Sequence, residues 1–114
     1  MLTEAYYAAK SLREQGIKLK VVNLPWLNYV DTDWLAKVLG DTKVMITLDN
    51  HYSIGGQGEQ LISSMACSGL LNNVKVRVMG IERIPYFGTN DEVLKAHKLD
   101  RGSIINEVKL LLTC

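Results

Sequence analysis

Apolar and polar positions alternate along the chain with periods that change from segment to segment. From Thr3 to Gln15 the apolar residues Ala5, Ala8, Ala9 and Leu12 recur at helical spacing, with Thr3 available as a cap and Gly16 as a left-handed stop. IKLKVVNL follows, with Ile17, Leu19 and Val21 opposite Lys18 and Lys20 before the pattern turns fully apolar, which predicts a strand buried on both faces at its far end. After Pro25, Asp31 is placed to cap a short helix with Trp34, Leu35, Val38 and Leu39 on one face and Gly40 at its end.

KVMITL, from Lys43, is nearly continuous apolar sequence of strand length, the signature of a central strand in a parallel sheet covered by helices on both faces. It leads into the acidic and histidine-bearing stretch DNHYSIGGQG. A helix is predicted over 58–69, with Leu61, Ile62, Met65, Ala66 and Gly69 on its apolar face. VKVRVM alternates strictly, as an outer strand with one wet face does. Asn90 is read as the cap of NDEVLKAHK, and a last helix after LDRG carries Ile104, Ile105, Val108 and Leu112.

Helices alternating with strands predict a three-layer αβα fold with a mostly parallel, right-handedly connected sheet. The 114 residues suffice for one domain, spanning 1–114.

Charge and composition narrow the partners. Thirteen basic against 12 acidic residues give a net charge of +1, and no basic cluster carries interleaved aromatics, so nucleic acid and anionic membranes are disfavoured. The longest apolar runs, such as Val44–Leu48 and Leu110–Leu112, are far below a membrane span and the first residues lack a signal-peptide core, so a cytoplasmic location is expected. Cys67 and Cys114 are read as reduced thiols, Cys67 as a small core residue.

The chemistry that can be read locally centres on Asp49, His51, Tyr52, Gly55, Gly56 and Gly58. Glycines ahead of a helix N-terminus can cradle an anion on free N–H groups at the positive end of the helix dipole. No Lys-Ser or Lys-Thr pair follows, however, and Leu61 stands where a dinucleotide fingerprint needs its third glycine. The favoured reading is a turn whose glycines permit close backbone packing at an interface; a small-anion or nucleotide site at Gly55–Gly58 is the alternative. Asp49, His51 and Glu59, near the carboxyl end of a parallel strand, could supply a general base, but no nucleophile accompanies them. No catalytic, cofactor-binding or metal-ligating residue is assigned, since His51, His97, Cys67 and Cys114 are scattered singly. The aromatics Trp26, Tyr29, Trp34, Tyr86 and Phe87 are candidate contact residues.

In order along the chain, AYYAAKSLREQGIKLKVVNLPWLNYVDTDWLAKV, KVMITLDNHYSIGGQGEQL and VMGIERIPYFGTNDEVLKAHKLDRGSIINEVKLLL resemble the C-terminal domain of the transketolase family, which includes deoxyxylulose-phosphate synthase and the beta subunits of 2-oxo acid dehydrogenases. The resemblance implies a non-catalytic third module of an enzyme that transfers a two-carbon ketol unit between sugar phosphates. Thiamine diphosphate and Mg²⁺ would be held by separate diphosphate- and pyrimidine-binding domains, and this domain would support packing and homodimer assembly. The alternative parent is a 2-oxo acid dehydrogenase beta subunit or a deoxyxylulose-phosphate synthase, and the chain by itself is expected to be inactive. Two departures stand out. Asp49 and Asn50 replace a glutamate pair ahead of the matching His51, and a strand that the family places before the alanine-rich helix is absent. The expectation is a domain shortened at its N-terminus, or a subunit completed by another chain.

Overall fold

A computed structural model describes residues 1–114. Helix α1 (Leu2–Glu14) is followed by α2 (Thr32–Leu39), β1 (Val44–Tyr52), α3 (Gln57–Cys67), β2 (Lys75–Ile81), α4 (Asn90–Ala96) and α5 (Arg101–Thr113). β1 and β2 pair in parallel, with Val44 opposite Lys75 and Leu48 opposite Met79.

Successive strand residues point to opposite faces, and each face of the sheet carries its own helical layer. On one side Ala8 and Leu12 of α1, Leu99, and Ile104 and Val108 of α5 close around Met79, with Ile46 and Leu48 packed against them. On the other, Leu35 and Leu39 of α2 meet Leu61 and Met65 of α3, with Met45 beneath. This is the three-layer αβα arrangement expected from the patterning.

The helix ends follow local rules. Gly16, at φ +83°, closes α1 in a Schellman motif: Ile17 N–H donates to Leu12 O and Gly16 N–H to Arg13 O. Lys98 takes the same left-handed position after α4, at φ +56°, with Leu99 N–H donating to Leu94 O. Asp31 caps α2 as predicted, accepting from Trp34 N–H at 3.0 Å. Two other caps differ from expectation. Met1, not Thr3, precedes α1 and offers no side-chain cap, and α4 is capped by Thr89 rather than Asn90. Thr89 forms a full capping box with Glu92, whose carboxylate accepts from Thr89 N–H at 2.9 Å.

Larger differences concern the sheet. Ile17–Leu24 forms no strand and is mostly exposed, and β1, despite the sequence of a central strand, has only β2 beside it. The reason is physical: a strand is defined by a neighbour that satisfies its N–H and C=O groups, and no neighbour lies along Ile17–Leu24. Burial also falls differently on two helices. Gly58, Leu61 and Met65 face inward on α3, which leaves Ala66 and Cys67 exposed, and Leu111 rather than Leu112 completes the buried face of α5. In both cases the i, i+4, i+7 or i, i+3, i+7 stripe that meets the sheet is narrower than the apolar sequence.

Candidate functional site

The site is built where β1 ends. The strand does not stop at Leu48 but runs on through Asp49, His51 and Tyr52, so these residues lie on extended backbone rather than in a turn. The register slips between Leu48 and Tyr52, after which Tyr52 pairs with Ile81. Gly80 on β2 sits beneath the slip. A Cβ there would come within 3.0 Å of Ser53 N and 3.1 Å of His51 O, so only glycine lets the two backbones approach this closely.

Asp49 is 3% exposed, and its burial is made tolerable by a charge-assisted hydrogen bond: Gly58 N–H donates to Asp49 Oδ2 at 3.0 Å. Asp49 Oδ1 lies 3.6 Å from His51 Nε2, while His51 Nδ1 is 3.1 Å from Tyr52 O. The imidazole is thereby held between a carboxylate and a carbonyl with one edge open to solvent. On the next turn of chain, Gly55 N–H donates to Glu59 Oε2 at 2.7 Å. In the first turn of α3 Gly58 N–H thus holds the Asp49 carboxylate, and just ahead of the helix Gly55 N–H holds that of Glu59, both favourably placed at a helix N-terminus.

Each glycine of the turn has its own task. Gly55 adopts φ +73° with open space around it, so its role is conformational. A Cβ on Gly56 would fall 2.7 Å from Tyr52 O and 2.9 Å from Asp49 Oδ2. One on Gly58 would collide with Thr47 Oγ1 and lie 3.0 Å from Val78 Cγ1. The absence of side chains at 56 and 58 is what lets α3 start directly against β1 and β2.

All six residues singled out in the sequence thus come together with Glu59, and the structure adds Thr47, Gln57 and Gly80. Gln57 was legible only in three dimensions: its side-chain amide donates to Leu24 O at 3.0 Å and Trp26 O at 2.9 Å, drawing the Trp26–Tyr29 loop to the start of α3. No nucleophile or third acidic group converges on His51, and no set of three His, Cys, Asp or Glu side chains could hold a metal ion. His97 lies elsewhere, accepting from Tyr86 N–H at 3.3 Å with its ring 5.2 Å from that of Tyr86. Cys67 and Cys114 are both exposed, so the expectation of a core Cys67 fails, because the residue lies on the far side of α3 from Met65.

Around this end of the sheet the surface is apolar. Trp26, Tyr29, Ile54, Ile84, Tyr86 and Phe87 are all exposed, Phe87 completely. Ile54 follows β1, while Ile84, Tyr86 and Phe87 follow β2. Because the strands are parallel, both loops emerge on the same side. No helix of the protein is long and apolar enough to cross a membrane.

Comparison with known proteins gives a consistent result. The family model described as "Transketolase, C-terminal domain" matches residues 1–104. The 1-deoxy-D-xylulose-5-phosphate synthase of Clostridium tetani is 28% identical over 114 residues, covering 98% of this chain and 18% of that protein. One subunit of the apulose-4-phosphate transketolase of Phocaeicola vulgatus is 30% identical over 102 residues, covering 88% of this chain and 31% of that one. A mouse transketolase is 29% identical over 113 residues, again 98% and 18%. The chain therefore spans less than a third of the length of these relatives. Among solved structures, a split-gene transketolase described as an inactive beta4 tetramer superposes with a TM-score of 0.85 at 24% identity, covering 98% of this chain and 36% of that one.

Proposed function

Since the chain belongs to the family of transketolase C-terminal domains, we propose that it serves as the non-catalytic C-terminal module of a transketolase-like enzyme, supporting domain packing and dimer assembly. The parent activity on this reading is transfer of a two-carbon ketol unit between sugar phosphates, in the cytoplasm, with residues 1–114 acting as one module. Thiamine diphosphate supplies the carbanion chemistry when bound in such an enzyme, and its site would lie in the diphosphate- and pyrimidine-binding domains. The residues here do not fit that cofactor with its Mg²⁺. The two carboxylates nearest the glycine turn are engaged by Gly58 N–H and Gly55 N–H, and no convergent set of oxygen ligands remains.

The observation that carries the packing role is the contrast at the carboxyl end of the sheet. Gly55 N–H and Gly58 N–H of the turn already hold carboxylates of this chain, whereas the loops around it present Trp26, Ile54, Ile84 and Phe87 to solvent. Exposed apolar side chains gathered at one end mark a protein contact rather than an ion site. His51 and Tyr52, at the centre of that end, would face the neighbouring domain. The similarity to deoxyxylulose-phosphate synthase keeps that enzyme as a second parent of the same architecture.

The test is reconstitution with a polypeptide carrying the diphosphate- and pyrimidine-binding domains of a transketolase-type enzyme. Co-elution in size-exclusion chromatography, abolished by Phe87→Glu with Ile84→Glu, is expected. Failure to associate, or binding of thiamine diphosphate by this chain alone in calorimetry, would overturn the assignment.

A further inference from the structure

Between the end of β2 at Ile81 and the Thr89 cap of α4, residues 82–88 form an arm of exposed chain that carries Ile84, Tyr86 and Phe87. Its two ends are fixed. Ile81 O accepts from Ser53 N–H at 3.2 Å, and Thr89 is closed into the capping box with Glu92. Between them a single hydrogen bond ties the arm to the rest of the molecule: Tyr86 N–H donates to His97 Nε2 at 3.3 Å. The two rings lie 5.2 Å apart, inclined at 53°, and no residue of the arm takes part in an ion pair.

His97 is positioned by the body of the domain and not by the arm. It closes α4, its N–H donates to Val93 O at 3.0 Å, and it stands two residues ahead of the core residue Leu99. A backbone N–H can only donate, so Nε2 is the unprotonated nitrogen and the neutral ring carries its proton on Nδ1. Protonation turns Nε2 into a second donor facing Tyr86 N–H, which ends the bond outright. The surrounding charges offer no replacement. On α4 and just beyond it stand Asp91, Glu92, Lys95 and Lys98, on the arm Glu82 and Arg83, and at the start of α5 Asp100 and Arg101. Glu92 holds Thr89 N–H, Asp100 accepts from Ser103 Oγ, Arg101 is bound to Glu4, and none of the ion pairs includes His97.

We propose that His97 is a pH-sensitive latch on this arm: in its neutral form it holds the arm against the domain through Tyr86, and on protonation it lets the arm go. The latch governs three apolar side chains together, because Ile84 and Phe87 flank Tyr86 in one short span and have no tether of their own. At 85% and 104% exposure they contribute no packing that could keep the arm in place once the bond is lost. Release is local, since Ile81 and Thr89 keep their own bonds at either end. Its consequence for assembly is a contact surface held in one conformation at neutral pH and offered as mobile chain in acid. That consequence rests on the packing role proposed above; the latch itself does not.

The experiment is nuclear magnetic resonance on the full chain at about pH 8 and about pH 5, an interval in which histidine is the side chain that ordinarily changes charge. Backbone order parameters at Arg83, Ile84, Tyr86 and Phe87 should stand near about 0.8 in the first condition and fall to about 0.6 or below in the second, with β2 and α4 unchanged. His97→Gln offers an amide oxygen that cannot be protonated and should keep the arm ordered at both. His97→Phe keeps a ring beside Tyr86 without an acceptor and should leave the arm mobile at both. Equal order of the unaltered arm in the two conditions would overturn the proposal. So would a fall in His97→Gln that matches the unaltered chain, which would move the sensing to His51, the other histidine. The nitrogen shifts of His97 give a measure that needs no variant: a proton on Nε2 instead of Nδ1 at about pH 8 would also overturn it. An arm that loosens in acid with no change in association with the reconstituted partner supports the latch and counts against the packing role.

Discussion

The two sides of β1 are built from the same nine residues yet reach opposite states. Towards β2 the strand is paired in register and roofed by α1 and α5 on one face and by α3 on the other. Away from β2 the backbone is open and Leu19, Val21 and Val22 stand at least a third exposed across a groove. The difference teaches that apolar sequence makes a segment willing to be buried, but a strand exists only where a second backbone lies alongside. Only 15 of the 114 residues are buried.

That contrast can be broken most sharply on its closed side. Leu12→Ala removes a side chain with no exposure from between α1 and α5 and should cost about 2–5 kcal/mol in chemical denaturation. Val22→Ala, on the open rim, should stay within about 0.5 kcal/mol. If the two cost the same, the groove is closed in solution and the comparison fails.

Next in size is the junction between β1 and α3. Gly58→Ala pushes a methyl into Thr47 Oγ1 and Val78 Cγ1 and should cost about 1–3 kcal/mol, whereas Gly55→Ala, with open space but φ +73°, should cost about 1 kcal/mol from backbone strain alone. Asp49→Ala leaves Gly58 N–H without its buried acceptor and should destabilise by about 1–3 kcal/mol, with faster amide exchange at the start of α3.

A gain is expected at Lys98, where a side chain occupies a left-handed position that glycine adopts without strain; Lys98→Gly should stabilise the chain by about 1 kcal/mol, read as a raised Tm.

The smallest effect is a pH dependence that marks the closed layer. Arg101 donates to both oxygens of Glu4, from Nε and Nη2, and its backbone N–H adds a third bond at 2.7 Å; the side-chain hydrogen bonds hold the Glu4 carboxyl below its ordinary 4.5. Because the folded value is the lower one, this contribution is complete above about 4.5 and is lost as pH falls through the depressed value. Glu4→Gln should therefore flatten the acid limb of the stability profile and leave Val22→Ala behaving as before.

Much of the site was legible in the chain itself. Glycines at 55, 56 and 58 and an acidic residue at 49 announce a tight strand-to-helix passage, and the Thr-x-x-Glu spacing at 89–92 carried the capping box, although Asn90 competed with Thr89 for the same role. Gln57, Gly80 and Thr47 could not be found that way. Each acts through a neighbour far along the chain or on the adjacent strand, as Gln57 does across 31 and 33 residues to Trp26 and Leu24.

By itself the sequence determined the helices, the Gly16 stop and the Asp31 cap, the two-sided apolar character of β1 and the alternation of β2, because these depend on side-chain period and on bonds within a few residues. Only the tertiary structure decided whether an apolar run became a strand, since that requires backbone partners distant in the chain. Ile17–Leu24 has the pattern and lacks the partner. Val44–Tyr52 has both, with β2 alongside it.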